Sequence, residues 1–189
     1  MKKYTIIAGV NGAGKSTFYQ LYPHLKNEHR VNADDILREF KLDWHDFSSV
    51  LMAGKEAVKR LNIYIDEGIS FNQETTLCGK TVINSIKKAK EKGFIIELHY
   101  IGLDNAELAK ERVAHRVSVG GHGVSDYDIE RRYEESFTGL EKVLPLCNLV
   151  AIYDNTKEFR RFAIYKDGSL VRKSHNVPNW FCKRFDNKY

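Results

Sequence analysis

Apolar and polar positions along this chain switch period several times, and the switches mark out strands and helices in alternation. Residues 3–10 (Lys-Tyr-Thr-Ile-Ile-Ala-Gly-Val) form a short apolar run suited to a buried strand, and a helix is expected from Lys15 to about Leu25. Residues 29–34 suit a brief second strand. Asp34 or Asp35 can then cap a helix through Phe40, because an aspartate side chain accepts the orphan N–H groups of a helix start. Across 47–67, Phe47, Val50, Leu51, Val58, Leu61 and Ile65 recur near helical spacing, and Gly68 ends the run. A third strand is expected at 69–74 and a helix at 80–92, stopped by Gly93. Residues 94–103 give the clearest strand, being nearly all strand-favouring. Asp104 is placed to cap a helix to about Val117, and Asp126 one to Leu144 whose apolar stripe is Ile129, Tyr133, Phe137, Leu140 and Leu144. A last core strand follows at 148–154. Residues 159–165 and 169–173 then read as a hairpin through Lys166-Asp167-Gly168, since Asp-Gly tolerates the positive φ such a turn requires.

Strand and helix alternate over most of the chain, which predicts an α/β fold: a parallel sheet with helices on both faces, plus a short C-terminal β-hairpin. A length of 189 residues suits one domain with one substantial core, its body over 1–156 and a C-terminal tail over 157–189 packed on it. No stretch approaches the roughly 20 apolar residues that span a bilayer. The N-terminal apolar run is too short for a signal peptide, so no membrane contact and a cytoplasmic location are expected. Cys78, Cys147 and Cys182 lie far apart without CxxC spacing, which argues against a zinc site or a disulfide framework. The net charge of +5 is uneven: residues 157–189 hold 9 Lys and Arg against 3 Asp and Glu. That tail also carries Phe159, Phe162, Tyr165, Trp180, Phe181, Phe185 and Tyr189. Basic residues interleaved with aromatics either bind single-stranded nucleic acid or form a terminal hairpin with a solvated outer face. The hairpin is the favoured reading.

The strongest chemical signal is Gly9-Val10-Asn11-Gly12-Ala13-Gly14-Lys15-Ser16, which fits G-x-x-x-x-G-K-[ST] between a buried strand and a helix. Its glycines let successive backbone N–H groups wrap a phosphate, and the helix start adds partial positive charge. Gly9, Asn11, Gly12, Ala13, Gly14, Lys15, Ser16 and Thr17 are therefore the expected ATP-binding residues, with Lys15 on the β- and γ-phosphates and the Ser16 hydroxyl on Mg²⁺. The Asn-Lys-x-Asp motif of GTPases and the signature of ABC-type ATPases are absent, and no clear Walker B strand is present. Those absences favour small kinases.

Ligands of such sheets bind beyond the carboxyl ends of the strands. Two acidic motifs fall there. In Val31-Asn32-Ala33-Asp34-Asp35, a carboxylate could take the proton of an acceptor hydroxyl or orient Mg²⁺. In Asn72-Gln73-Glu74-Thr75-Thr76, Glu74 could accept hydrogen bonds from a hydroxylated acceptor, with Thr75 and Asp35 beside it. Further on, Arg112, Arg116, Arg131 and Arg132 flank Gly120-Gly121-His122-Gly123. Guanidinium groups suit the charge spread over a transferring phosphoryl group, and glycines would let a lid hinge shut. On a helical wheel Arg132 lies beside the apolar stripe and Arg131 points nearly opposite. His122 reads as a loop residue rather than a base, since it follows two glycines and has no obvious partner.

Together, Ala8–Thr17, Val31–Asp34, Glu74–Leu77, Gly120–Val124 with Arg131-Arg132-Tyr133, and Tyr153-Asp154-Asn155 resemble the zeta-toxin-like group of P-loop kinases, over about residues 4–156. The resemblance implies ATP and Mg²⁺ as cofactors and UDP-N-acetylglucosamine, phosphorylated at a sugar hydroxyl, as acceptor. It implies Asp34 rather than Asp35 as general base, Glu74 on the sugar, and Arg116 and Arg132, with Arg131, on the phosphates. It also implies a small antitoxin protein as a possible partner. The short Gly-Gly-His lid and the basic aromatic tail depart from the toxin pattern. A nucleic-acid end kinase and a non-catalytic ATP-binding regulator are the alternative functions.

Overall fold

A computed structural model describes residues 1–185. Seven strands form one sheet in the order β2-β3-β1-β4-β5-β6-β7. β1 (Lys3–Gly9) is central and buried on both faces, which is why its sequence runs apolar instead of alternating. It is followed by α1 (Lys15–Leu21), β2 (Arg30–Val31), α2 (Ala33–Glu39), α3 (Phe47–Glu67), β3 (Phe71–Thr75), α4 (Lys80–Glu91) and β4 (Ile95–Gly102). Then come α5 (Ala106–Ser118), α6 (Asp126–Val143), β5 (Leu149–Asp154), β6 (Arg160–Lys166), β7 (Ser169–Lys173) and α7 (Asn179–Phe185). Strands β1 to β5 pair in parallel, and β6 and β7 add antiparallel. The sheet grows outward from β1 in both directions, so right-handed crossovers place helices on both of its faces. No helix among the described residues is long and apolar enough to cross a membrane.

Several local expectations are corrected. The first helix stops at Leu21, and Pro23 opens a separate 3-10 turn through Leu25. β2 holds two residues because Asn32 takes the cap of α2, its Oδ1 accepting from the Asp34 N–H at 3.0 Å. That frees both Asp34 and Asp35 from capping. Asn105 and Ser125, not Asp104 and Asp126, cap α5 and α6. The core face of α3 is built from Ser49, Ala53, Ala57, Leu61 and Ile65, while Phe47 is 80% exposed.

The tail extends the main sheet through β6, and its hairpin turns on Asp167 (φ 47°) and Gly168 (φ 80°). Helix α7, not anticipated from the sequence pattern, carries Trp180, Phe181 and Phe185 into the core. Trp180 packs against Phe137 at 5.3 Å and Phe162 at 5.6 Å, and its indole N–H donates to Asp154 Oδ1 at 3.0 Å. With Phe162, Tyr165, Trp180, Phe181 and Phe185 all buried, these tail rings offer no stacking surface to a single strand. Tyr189 lies outside the described residues.

Candidate functional site

The carboxyl ends of β1, β3 and β4 meet where the chain must turn most tightly. A side chain at Gly9 would reach within 2.1 Å of the Ile101 carbonyl, so only glycine lets β1 end against β4. The loop then climbs through Gly12 (φ 74°) and Gly14 (φ 86°), and α1 starts at Gly14 with no side-chain cap. Asn155 braces it from behind: its Nδ2 donates to the Ala13 carbonyl at 2.9 Å, and its own N–H donates to the Gly102 carbonyl. Ala13 is thus buried structure, whereas Asn11, Gly12, Gly14, Lys15, Ser16 and Thr17 line an open cavity of about 580 Å³. The Lys15 ammonium donates to the Gly9 and Val10 carbonyls, 3.0 Å each, and so lies across the floor of the loop. Burial pushes its pKa down, against the opposing pull of Glu74 and Asp34.

Asp34, Glu74, Arg112, Arg116, Asn155 and Phe159 complete the same cavity. Lys15 and Asp34, distant in sequence, therefore share one site. Glu74 sits at the end of the strand next to β1, with its side chain 7% exposed. It accepts from the Ser16 hydroxyl at 2.9 Å and from Arg30 at 2.6 Å. No apolar strand ending in aspartate lies beside β1, but a carboxylate on β3 meets the P-loop serine. Ser16 and Glu74 are a hard, all-oxygen pair that suits Mg²⁺, an ion usually held by one or two protein oxygens plus phosphates and water. Among the described residues no cluster of three or more His, Cys, Asp or Glu could hold a metal alone.

Arg116 projects from the last turn of α5 into the cavity wall, and burial lowers its pKa, against the pull of Asp34 and Glu74. Its Nε donates to the His122 carbonyl at 2.8 Å, but its buried Nη2 meets no partner, and neither does buried Asn11 Oδ1. Leaving such a group unpaired costs about 1–3 kcal/mol, more when charged. Two orphaned polar atoms beside one phosphate loop fit a polar, oxygen-rich ligand. Arg112 is spent otherwise, donating to the Thr156 carbonyl at 3.0 Å.

A second cavity of about 870 Å³ also borders Asp34 and shares both Asp34 and Asn11 with the first. Leu37, Trp44, Phe47, Val113, Val117 and Val124 give it apolar walls, and Arg131 and Arg132 line its rim. Arg132 is 3.9 Å from Asp128, and it also lines a smaller cavity with Lys15, Asp34 and Glu74. Arg131 is held by Asp128 at 2.7 Å and Glu135 at 2.8 Å on the exposed side of α6. Asp35 lines none of these cavities; it ion-pairs with Arg30 and Arg38. Thr75 spends its hydroxyl on the Leu77 N–H at 3.0 Å.

The residue that sequence reasoning missed is His122. It has a partner after all: its Nε2 lies 2.6 Å from Asp34 Oδ2. Burial raises the pKa of the Asp34 carboxyl, but the His122 hydrogen bond and the charges of His122, Lys15 and Arg116 outweigh it, and the net shift is downward. The signal that could have found it was the glycine on each side. A side chain at 121 would come within 2.6 Å of Arg116, and one at 123 within 2.6 Å of the Trp44 ring.

No protein-family model matches this chain. It is 30% identical over 131 residues to an uncharacterized protein of Haemophilus influenzae, covering 69% of this chain and 92% of that one. Among solved structures it is similar to the AvrRxo1-ORF1:-ORF2 complex with ATP, with a TM-score of 0.67 and 16% identity over 91% of this chain. It spans 60% of that AvrRxo1 chain. It is also similar to the PezAT chromosomal toxin-antitoxin system of Streptococcus pneumoniae, with a TM-score of 0.61 and 17% identity, covering 100% of this chain and 80% of that one. A chain of the Pnkp1/Rnl/Hen1 RNA repair complex aligns with a TM-score of 0.59 and 15% identity, over 94% and 50% of the two chains. The shared architecture is the P-loop kinase fold.

Proposed function

We propose that this chain, which belongs to the same family as that Haemophilus influenzae protein, transfers the γ-phosphate of ATP to a hydroxyl of a small acceptor. The observation that carries the proposal is the shared cavity of Lys15, Ser16, Glu74, Arg116 and Asp34, with Arg116 Nη2 buried beside it and unpaired. Backbone amides from Gly12 to Ser16 and the Lys15 ammonium would take the phosphate chain. Mg²⁺ bound with ATP would lie at Ser16 and Glu74 and offset phosphate charge. Arg116 would meet the γ-phosphate oxygens. An acceptor in the apolar cavity would bring its hydroxyl to Asp34. The hydroxyl oxygen bonds to the γ-phosphorus, and the bond to the β-γ bridging oxygen breaks, leaving its electron pair on ADP. The hydroxyl proton passes to Asp34 and then to water. Because the transferring group is largely dissociated at the transition state, Asp34 acts more by orienting the hydroxyl than by proton affinity, which suits a carboxylate held below its ordinary pKa.

For the acceptor we infer a sugar nucleotide such as UDP-N-acetylglucosamine. The motif resemblance supports it, and so does a second cavity with room for a base and a sugar, lined by Trp44 and bordered by arginines. A cytoplasmic location and a small antitoxin partner belong to the same reading. The nucleic-acid alternative is weakened by the burial of the tail aromatics. The test is a screen of UDP-sugars, nucleosides and oligonucleotides with γ-labelled ATP. Label moving to a UDP-sugar supports the full reading. Label moving only to an oligonucleotide 5′ end replaces the acceptor, and ATP binding without transfer to any of them points to a regulator.

A further inference from the structure

We propose that His122 is a positioning residue for the transfer, fixing Asp34 through one carboxylate oxygen so that the other faces the acceptor hydroxyl. This rests on the kinase reading above. A carboxylate only accepts, so the 2.6 Å contact assigns the Nε2 hydrogen to His122 as donor to Oδ2. Among the described residues no side chain other than His122 pairs with the Asp34 carboxylate. The histidine is itself fixed. Its carbonyl takes Arg116 Nε at 2.8 Å, and the Gly121 N–H donates to the Arg116 carbonyl at 2.9 Å. Glycines at 121 and 123 let the loop pass between Arg116 and Trp44. Arg116 thus joins the nucleotide cavity to the loop that carries His122, and His122 joins that loop to Asp34. A nucleotide phosphate that engages Arg116 would set the base through two side chains.

The titratable and charged groups around the pair are Lys15 and Glu74 on the phosphate-loop side, Lys110 and Arg116 from α5, Asp126, Asp128, Arg131 and Arg132 from α6, and His45 after α2. Lys15 and Arg116 act in the same direction on Asp34 as His122 does, but the His122 hydrogen bond is the largest influence opposing burial. Without it burial gains weight, and Asp34 titrates at higher pH.

The experiment compares wild type, His122→Gln and His122→Ala as full chains. It follows the carboxyl carbon of Asp34 by NMR across pH beside the pH profile of kcat/KM for acceptor phosphorylation. In His122→Ala, Asp34 should titrate at higher pH, the acid limb of kcat/KM should move with it, and kcat should fall about 100-fold, the cost of a misplaced group, while the KM for ATP stays near wild type. His122→Gln, which still donates, should recover most of kcat. An Asp34 titration that does not move overturns the proposal. So does a kcat that rises, which would make His122 a plug over the base. If no acceptor is phosphorylated by wild type while Asp34 still titrates with His122, the kinase reading falls and the catalytic role of His122 falls with it. The His122–Asp34 contact itself would stand.

Discussion

Substitution of Gly102 by alanine should destabilise this protein through a single ring. Gly102 closes β4, paired with Asp154 of β5, and its carbonyl accepts the Asn155 N–H. A methyl there would stand 2.3, 2.4 and 2.8 Å from Cζ2, Cη2 and Cε2 of Trp180, more than 0.5 Å inside ordinary contact. The strand cannot yield, being parallel-paired in mid-sheet, and the ring is 1% exposed and tied to Asp154. Forcing a methyl into a filled core costs about 1–3 kcal/mol. The gain from replacing glycine in a strand is only about 0.5–1 kcal/mol. A net loss of about 1 kcal/mol is expected if the ring tilts, rising toward the 3–5 kcal/mol of Trp180→Ala if it is expelled. The decisive form is a double-mutant cycle by urea unfolding followed by far-ultraviolet circular dichroism. With Trp180→Ala already in place, Gly102→Ala should be neutral or slightly stabilising, a coupling of about 2 kcal/mol or more. If Gly102→Ala costs the same in both backgrounds, the packing of α7 on the end of β4 is wrong. Because Asn155 links this corner to the phosphate loop, Gly102→Ala should also weaken ATP binding.

Arg116→Ala should lower transfer at least about 100-fold, as the loss of a charge-stabilising donor does, with a much smaller change in ATP affinity; single-turnover rates beside equilibrium binding check this, and wild-type transfer would rule Arg116 out. The Glu97 carboxyl is held at about 2, chiefly by His99, against burial and with help from Lys3. Its folded pKa lies below its unfolded one, so it stabilises the fold above the ordinary carboxylate range, and that contribution fades as pH falls toward about 2. Unfolding measured across pH should therefore separate wild type from Glu97→Gln by on the order of 1–3 kcal/mol near neutrality and bring the two together in acid. A constant gap would contradict the assignment.

The order of strands and helices was legible because β1 is buried on both faces and reads as a mainly apolar run, and because β4 is rich in strand-favouring residues despite Glu97 and His99. The phosphate loop was legible because its spacing is local. Contacts between distant segments were not. The pairing of Asp34 with His122 needs the fold to close, and the contact of Glu74 with Ser16 needs β3 placed beside β1. In α3 the period was right and Leu61 and Ile65 do reach the core, but the rest of the core face is Ser49, Ala53 and Ala57, while Phe47, Val50 and Leu51 stay exposed. Helix α7 is too short to show a period.

The proposed transfer mechanism is tested most directly by comparing Asp34→Asn with Lys15→Ala in single turnover with labelled ATP and a saturating acceptor. It predicts that Asp34→Asn binds ATP like wild type but transfers phosphate about 10²- to 10⁴-fold more slowly, while Lys15→Ala loses both binding and transfer. Transfer by Asp34→Asn at the wild-type rate would contradict it.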